Sequence, residues 1–180
     1  QKFGIEFYDL IGESLMLSKL SQFIVCVADY MLDHNNIDKL LACIKHPYIY
    51  SEYSLIIEKF VREHKFISKS EQISRYVQAS NNEKLQKWWD NFLLPIESAQ
   101  PFLNPELQNL SNLFKTNLII AEQIHPQIWN LEHDANAINF FHNLLIATNY
   151  IESIAKNQYV DLLTSILKQT NIISTYQNKN

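Results

Sequence analysis

Glycine is almost absent from this sequence: its 180 residues include only Gly4 and Gly12. Walker A loops and dinucleotide-binding loops need glycines at fixed offsets, because only a backbone without Cβ atoms can approach a phosphate closely. The GxSxG turn of α/β-hydrolases needs glycines on both sides of its serine. The sequence therefore excludes nucleotide sites of these kinds and a serine nucleophile elbow.

The sequence also has few cysteines, no net positive charge and only short apolar runs. Cys26 and Cys43 lie in apolar helical patterns without a CxxC motif, which predicts reduced, buried thiols in a cytoplasmic protein and no metal site. The formal net charge of -4 argues against a surface that binds nucleic acid throughout, although a local basic groove stays open. Apolar runs fall far short of the roughly 18 to 20 residues of a membrane span, so no membrane is expected as a partner.

The residues that are present predict an all-α fold. Hydrophobic residues make up 47% of the chain and charged residues 19%, enough for one buried core. Abundant Leu, Ile, Asn, Gln and Lys favour helices joined by short loops. Apolar spacings of three and four predict an irregular bundle of about seven or eight helices. The helix lengths do not repeat, so a solenoid is not expected.

The boundaries of the bundle follow from changes in this pattern. Residues 2–9 alternate between apolar and polar, which predicts a short N-terminal strand, and Gly12 predicts a turn. Residues 1–16 are therefore expected to lead in from a neighbouring domain of a longer protein. Residues 17–174 form the predicted helical domain, and the polar residues 175–180 a frayed tail.

A short apolar helix from Leu40 is predicted to end at Pro47. Proline lacks the N–H group of a helical residue and restricts the residue before it, so the helix should stop near His46. Lys45 and His46 then lie at the carbonyl end. There the His46 ring is expected to donate to the last carbonyls and to favour the negative end of the helix dipole.

Proline also predicts a break later in the chain. A helix from Glu83 is expected to end near Pro95, and Pro101 continues the bend. Asn104 before Pro105 then predicts a new helix start, because asparagine is a good N-cap and proline suits the first helical position.

Two groups of residues could carry chemistry. His133 and Asp134 form an HD pair, as in metal phosphohydrolases, but that site needs another histidine and another aspartate. Asp134 is better explained as a helix cap, so a metal hydrolase is the less favoured alternative. Lys84, Lys87 and Trp88 combine cations with an aromatic face and are candidate DNA contacts. The ordinary alternative for them is a buried tryptophan beside solvated lysines.

Six landmarks in chain order resemble one known family. They are Gly4-Ile5 followed by Gly12 and Leu15, the helix that ends at Lys45-His46-Pro47, Ile57-Glu58 with Val61-Arg62, Trp88, Ala121-Glu122 with Ile128-Trp129, and Tyr159-Val160-Asp161-Leu162-Leu163 with Ile166-Leu167. Together they are similar to AddB, the B subunit of the bacterial AddAB helicase-nuclease that processes double-strand breaks, in its alphaproteobacterial form.

The resemblance implies an internal helical portion similar to subdomain 2B of UvrD-like and RecB-like helicases. Lys45, His46, Pro47 and Trp129 would be structural signature residues. The family's ATP and magnesium sites, its nuclease motif and its iron-sulfur cluster would lie elsewhere in the parent protein. No catalytic, cofactor or metal residue is therefore expected in this chain. The expected partners are the rest of its own chain, an AddA-like subunit and DNA; the alternative is a stand-alone protein-interaction scaffold.

Overall fold

The computed structural model describes residues 13–104, 106–150 and 153–172. The predicted strand at residues 2–9 and the predicted frayed tail at residues 175–180 lie outside these ranges. Within them the chain forms eight α-helices: α1 (Lys19–Leu32), α2 (Ile37–Ile44), α3 (Glu52–Glu63), α4 (Ser70–Ala79), α5 (Glu83–Leu103), α6 (Leu110–Ile124), α7 (Ala135–Ala147) and α8 (Tyr159–Gln169). The predicted all-α bundle is confirmed.

Two short antiparallel strand pairs join distant parts of the bundle. β1 (Glu13–Ser14) pairs with β4 (Asn171–Ile172), and β2 (Leu107–Gln108) pairs with β3 (Ile154–Ala155). The first pair confirms a short N-terminal strand, and the Leu15 N–H extends it by donating to the Thr170 carbonyl at 2.8 Å. The chain therefore enters and leaves the helical bundle side by side.

α1 is the central helix of the bundle. It packs against α2, α5, α6, α7 and α8. It begins after Ser18, an N-cap whose hydroxyl accepts the N–H of Ser21 at 3.0 Å. Its buried residues lie on more than one face: Leu20, Ser21, Phe23, Ile24, Val27, Ala28, Tyr30 and Met31. A helix covered in this way is a core helix rather than a surface helix.

A buried asparagine joins three of these helices. The Asn117 Nδ2 of α6 donates to the Ile24 carbonyl of α1 at 3.2 Å and to the Tyr159 hydroxyl of α8 at 3.1 Å. Asn117 and Tyr159 are both buried. Because buried polar groups cost free energy unless they are hydrogen-bonded, these two bonds favour one relative placement of α1, α6 and α8.

The predicted break at Pro95 and Pro101 is wrong, because α5 runs through both prolines. Each proline removes one backbone hydrogen bond, to the carbonyl four residues earlier. Those carbonyls belong to Asn91 and Glu97, whose exposed positions let water replace the missing partner. Beyond Pro95 the buried face of the helix continues with Ile96, Ala99 and Leu103. Packing of this face outweighs the local preference for a bend.

The predicted helix start at Asn104 is also wrong. Asn104 follows the end of α5, and β2 comes before the next helix. α6 begins only at Leu110, where the Asn109 side chain accepts the N–H of Asn112 at 3.0 Å. The N-cap of α6 therefore lies five residues after Asn104, directly after strand β2, whose backbone pairs with β3.

None of the helices in the described ranges combines the length and the apolar character that crossing a membrane requires.

We predict that Asn117→Ala lowers the free energy of unfolding by about 1–3 kcal/mol. The substitution leaves the buried Tyr159 hydroxyl without its partner and removes the bond to α1. Urea denaturation followed by circular dichroism measures the change. Asn112→Ala is the matched control, because Asn112 is exposed on the same helix. Equal loss of stability in the two variants would contradict the role assigned to Asn117.

Candidate functional site

The Lys-His-Pro segment ends α2 as the sequence predicts. The Lys45 N–H donates to the Leu41 carbonyl at 3.1 Å, which closes the last helical bond. A turn follows, in which the N–H of Ile49 donates to the His46 carbonyl at 2.8 Å. Pro47 is the second residue of that turn, the position that its fixed φ favours.

The Lys45 ammonium group takes part in an ion-pair network with α3. It lies 2.8 Å from the Glu58 Oε1, and an Arg62 guanidinium nitrogen lies 2.6 Å from the same oxygen. The hydrogen bond from Lys45, together with the charge of Arg62, lowers the pKa of Glu58. The network joins the end of α2 to the middle of α3.

The His46 ring does not donate to the last carbonyls of α2, so that expectation is wrong. The side chain is buried, between the rings of Phe23 and Tyr48, whose centroids each lie 5.2 Å from its own. Its Nδ1 accepts the N–H of Tyr48 at 3.3 Å. Burial lowers the pKa of His46 to about 4, and an interaction with the Lys19 backbone raises this pKa by a smaller amount. The ring is therefore neutral near pH 7.

Asp134 precedes α7, but its carboxylate does not cap that helix in the described part of the chain. It accepts the hydroxyl of Tyr48 instead, and the His133 Nε2 lies 3.4 Å from the same oxygen. The Asp134 side chain is only 3% exposed. A buried carboxylate needs a hydrogen-bond donor, and here the Tyr48 phenol supplies it in place of the N–H groups of α7. The cap prediction is therefore wrong about the side chain.

These residues form one group, which we call the His-Tyr-Asp cluster: His46, Tyr48, His125, His133 and Asp134. The His125 ring lies 5.3 Å from that of Tyr48. Burial, followed by the bond to Asp134, raises the pKa of Tyr48, so the phenol keeps its proton and donates it. The sequence pattern does not predict a role for Tyr48, which contacts His46, His125 and Asp134. Its only sequence signal is a tyrosine directly after His46-Pro47.

An open cavity of about 300 Å³ lies beside this cluster. Asp134 and His133 line it, together with Ser18, Lys19 and Asn136. Among the described residues, no group of three or more His, Cys, Asp or Glu is arranged to hold a metal ion. The HD pair thus has no further metal ligand in this part of the chain, and the cluster is arranged for hydrogen bonding between segments.

The candidate DNA contacts lie at the start of α5. Lys84 and Lys87 are exposed, and neither makes an ion pair with any residue that the structure describes. The Trp88 ring is half-buried, with its centroid 5.9 Å from that of Tyr53 and 6.4 Å from that of Phe92. The two lysines are thus available to an anion, whereas much of the Trp88 surface is covered by neighbouring rings.

The remaining residues singled out from the sequence, Trp129 and the two cysteines, lie in the core or pack against it. Trp129 is half-buried, and its ring centroid lies 5.7 Å from that of His142. Cys26 and Cys43 are free thiols, half-buried and buried respectively. Burial raises the pKa of the Cys43 thiol well above its usual value, which makes it a poor nucleophile.

The structure is a helical bundle. Sequence comparison relates this chain to longer proteins. An uncharacterized protein of Rickettsia felis is 22% identical over 171 residues, covering 94% of this chain and 19% of that protein. Uncharacterized proteins of Rickettsia bellii and Rickettsia conorii are each 21% identical, over 99% and 96% of this chain. The chain spans about a fifth of the length of these relatives. No family model and no solved structure matches it.

We predict that the stability of the protein falls as pH decreases from 6.5 toward 4, in part because of His46. The unfolded ring binds a proton near pH 6.5 but the folded ring only near pH 4. Between these values the unfolded state binds more protons, so the free energy of unfolding falls by up to about 1.4 kcal/mol per pH unit. Urea denaturation at a series of pH values measures the slope.

His46→Asn is expected to reduce that slope, because asparagine keeps an acceptor for the Tyr48 N–H and does not titrate. His142→Asn, which replaces an exposed ring, is the control. If the His46 variant and the control have the same slope as the unmodified protein, His46 is not the group responsible.

We predict that Tyr48→Phe destabilises the protein by about 1–3 kcal/mol, because it removes a hydrogen-bond donor from the buried Asp134 carboxylate. Thermal and urea denaturation measure the loss. Tyr50→Phe is the matched control, since Tyr50 is 51% exposed and two residues away. A double-mutant cycle with Asp134→Asn should show coupling between the two side chains, and strictly additive effects would contradict a direct interaction.

Proposed function

We propose that this chain is a non-catalytic helical module of an AddB-like subunit, part of a bacterial cytoplasmic ATP-dependent helicase-nuclease that processes double-strand DNA breaks. In this proposal the module is similar to subdomain 2B and shapes the DNA path or the contact with an AddA-like subunit. ATP, magnesium and the iron-sulfur cluster act in other parts of the parent protein.

The observation that carries the proposal is the length relation between the chain and its relatives. They match nearly all of this chain, which accounts for only about a fifth of their length. A module within a large multidomain subunit would likewise account for a small share of the length of the full protein. The resemblance of the Lys45-His46-Pro47 element and the other landmarks supplies the particular family.

The strand pairing gives further support to a module of this kind. β1 and β4 are neighbours, so the chain reaches the bundle and leaves it at the same place. A domain inserted into a larger fold needs its two ends close together. The His-Tyr-Asp cluster also supports a structural role, because its Tyr48–Asp134 hydrogen bond joins the segment after α2 to the start of α7.

The surface that we assign to the partners is the outer face of α5. Its exposed residues recur at spacings of three and four, which places them on one side of the helix: Lys84, Lys87, Asn91, Leu94, Ser98 and Phe102. The face is basic at its N-terminal end, suited to phosphates. It is apolar at its C-terminal end, where Leu94 and Phe102 are 55% and 74% exposed, suited to a protein subunit.

The test uses the full-length protein that contains this chain, co-expressed with an AddA-like subunit. We expect ATP-dependent processing of linear but not circular duplex DNA. Lys84→Glu with Lys87→Glu is expected to weaken binding of forked DNA by ~ten-fold at low salt, because two phosphate contacts become repulsive. Fluorescence anisotropy measures the affinity.

Lys115→Glu with Lys168→Glu is the matched control, because it makes the same charge change at exposed positions on α6 and α8. Equal loss of affinity in both double variants would remove the outer face of α5 from the DNA path. A full-length protein that never processes linear DNA in an ATP-dependent manner would contradict the family assignment and favour a protein-interaction scaffold.

A further inference from the structure

The loop between α3 and α4, residues 64–69, has a defined conformation that turns one aromatic ring outward. The Gln72 Oε1 accepts the N–H groups of Ser68 and Lys69 at 2.8 and 3.1 Å. The hydroxyl of Ser70, the first residue of α4, donates to the His34 carbonyl at 2.9 Å, which joins the end of the loop to the segment after α1. Ile67 packs against the core.

Phe66 is the residue that this loop exposes. Its side chain is 85% exposed, the highest value among the large hydrophobic residues that the structure describes. The bonds just described hold the backbone after Phe66, and the His64 N–H holds it before Phe66 by donating to the Phe60 carbonyl at 3.1 Å, so the ring is presented without a large ordering cost. A fixed, open aromatic face is the element on which an unpaired base stacks.

The charges around Phe66 are positive. Lys65 and Lys69 flank it, both are exposed, and neither has an ion-pair partner within residues 13–104, 106–150 and 153–172. Lys69 also lies at the N-cap of α4, where the helix dipole is positive and a cation is unfavourable unless an anion is near. The loop thus presents two cations close together in sequence, both unpaired among the described residues, on a chain whose net charge is -4.

The neighbouring acidic groups do not neutralise this loop. Glu63 lies 3.8 Å from Lys59, and Glu71 lies 3.8 Å from Arg75, so each is paired on its own helix. Asp38 and Lys65 both line an open groove of about 470 Å³, and no ion pair joins them in the described part of the chain.

We infer that the 64–69 loop binds single-stranded nucleic acid, with a base stacked on Phe66 and phosphates against Lys65 and Lys69. An unpaired strand offers both a flat base and a phosphate at short spacing, whereas a duplex keeps its base faces covered. An acidic peptide would pair with the lysines, but its acidic side chains have no flat ring to stack on Phe66. The inference deepens the proposed function and rests on it.

The test measures binding of a fluorescein-labelled 20-nucleotide thymidine strand to the full-length protein by anisotropy. Phe66→Ala is expected to raise the dissociation constant about five-fold or more, because one stacked base is lost. Phe66→Trp should keep the affinity, since tryptophan also stacks. Tyr50→Ala is the matched control, because Tyr50 is an aromatic residue that is 51% exposed and has no lysine within four residues on either side.

Lys65→Glu with Lys69→Glu provides the electrostatic arm of the test. If the two lysines contact two phosphates, the slope of log affinity against log salt concentration should fall by about 1.4, at ~0.7 for each phosphate of a single strand. Lys115→Glu with Lys168→Glu should leave the slope unchanged. Circular dichroism of each variant checks that the fold is intact.

The outcomes separate this inference from the proposed function. If the full-length protein binds forked and single-stranded DNA but Phe66→Ala binds as tightly as the unmodified protein, this inference is overturned and the proposed function stands. If Phe66→Ala weakens assembly with the AddA-like subunit and leaves DNA affinity unchanged, the loop is a protein contact and the inference is again overturned. If the protein binds no DNA, both fail.

Discussion

Burial of α1 is the constraint on which the rest of the bundle depends. Five other helices pack against it, and its buried residues lie on more than one face. Each large apolar side chain that is fully buried contributes about 1.5–3 kcal/mol, so a central helix of this kind supplies much of the stabilisation. Apolar packing alone tolerates small shifts, whereas the bonds from Asn117 to Ile24 and Tyr159 require a particular placement.

The His-Tyr-Asp cluster does a similar task at the surface of the core. It connects the turn after α2 to the start of α7, segments separated by 86 residues at the Tyr48–Asp134 bond. His46, which the sequence predicts to bond to the last carbonyls of α2, is instead buried and neutral near pH 7, and it accepts a backbone N–H. Lys45 in turn pairs with Glu58. The whole Lys-His-Pro element therefore contributes to architecture.

The surfaces proposed for partners lie away from that cluster in sequence and differ from it in chemistry. The outer face of α5 and the 64–69 loop both present lysines without ion-pair partners among the described residues. Elsewhere on α3 and α4, cations are paired with carboxylates on the same helix. A chain with a net negative charge can still bind a polyanion through such local positive regions, because screening limits the range over which its acidic groups act.

The sequence by itself determined the helical class and the stop of α2 before Pro47, because prolines and apolar spacing act within a few residues. It did not determine that α5 continues through Pro95 and Pro101, since only the tertiary contacts of Ile96, Ala99 and Leu103 outweigh the lost hydrogen bonds. The partner of Asp134 and the exposure of Phe66 were also decided by the tertiary structure. Both depend on which distant segments come into contact, and local sequence patterns do not specify those contacts.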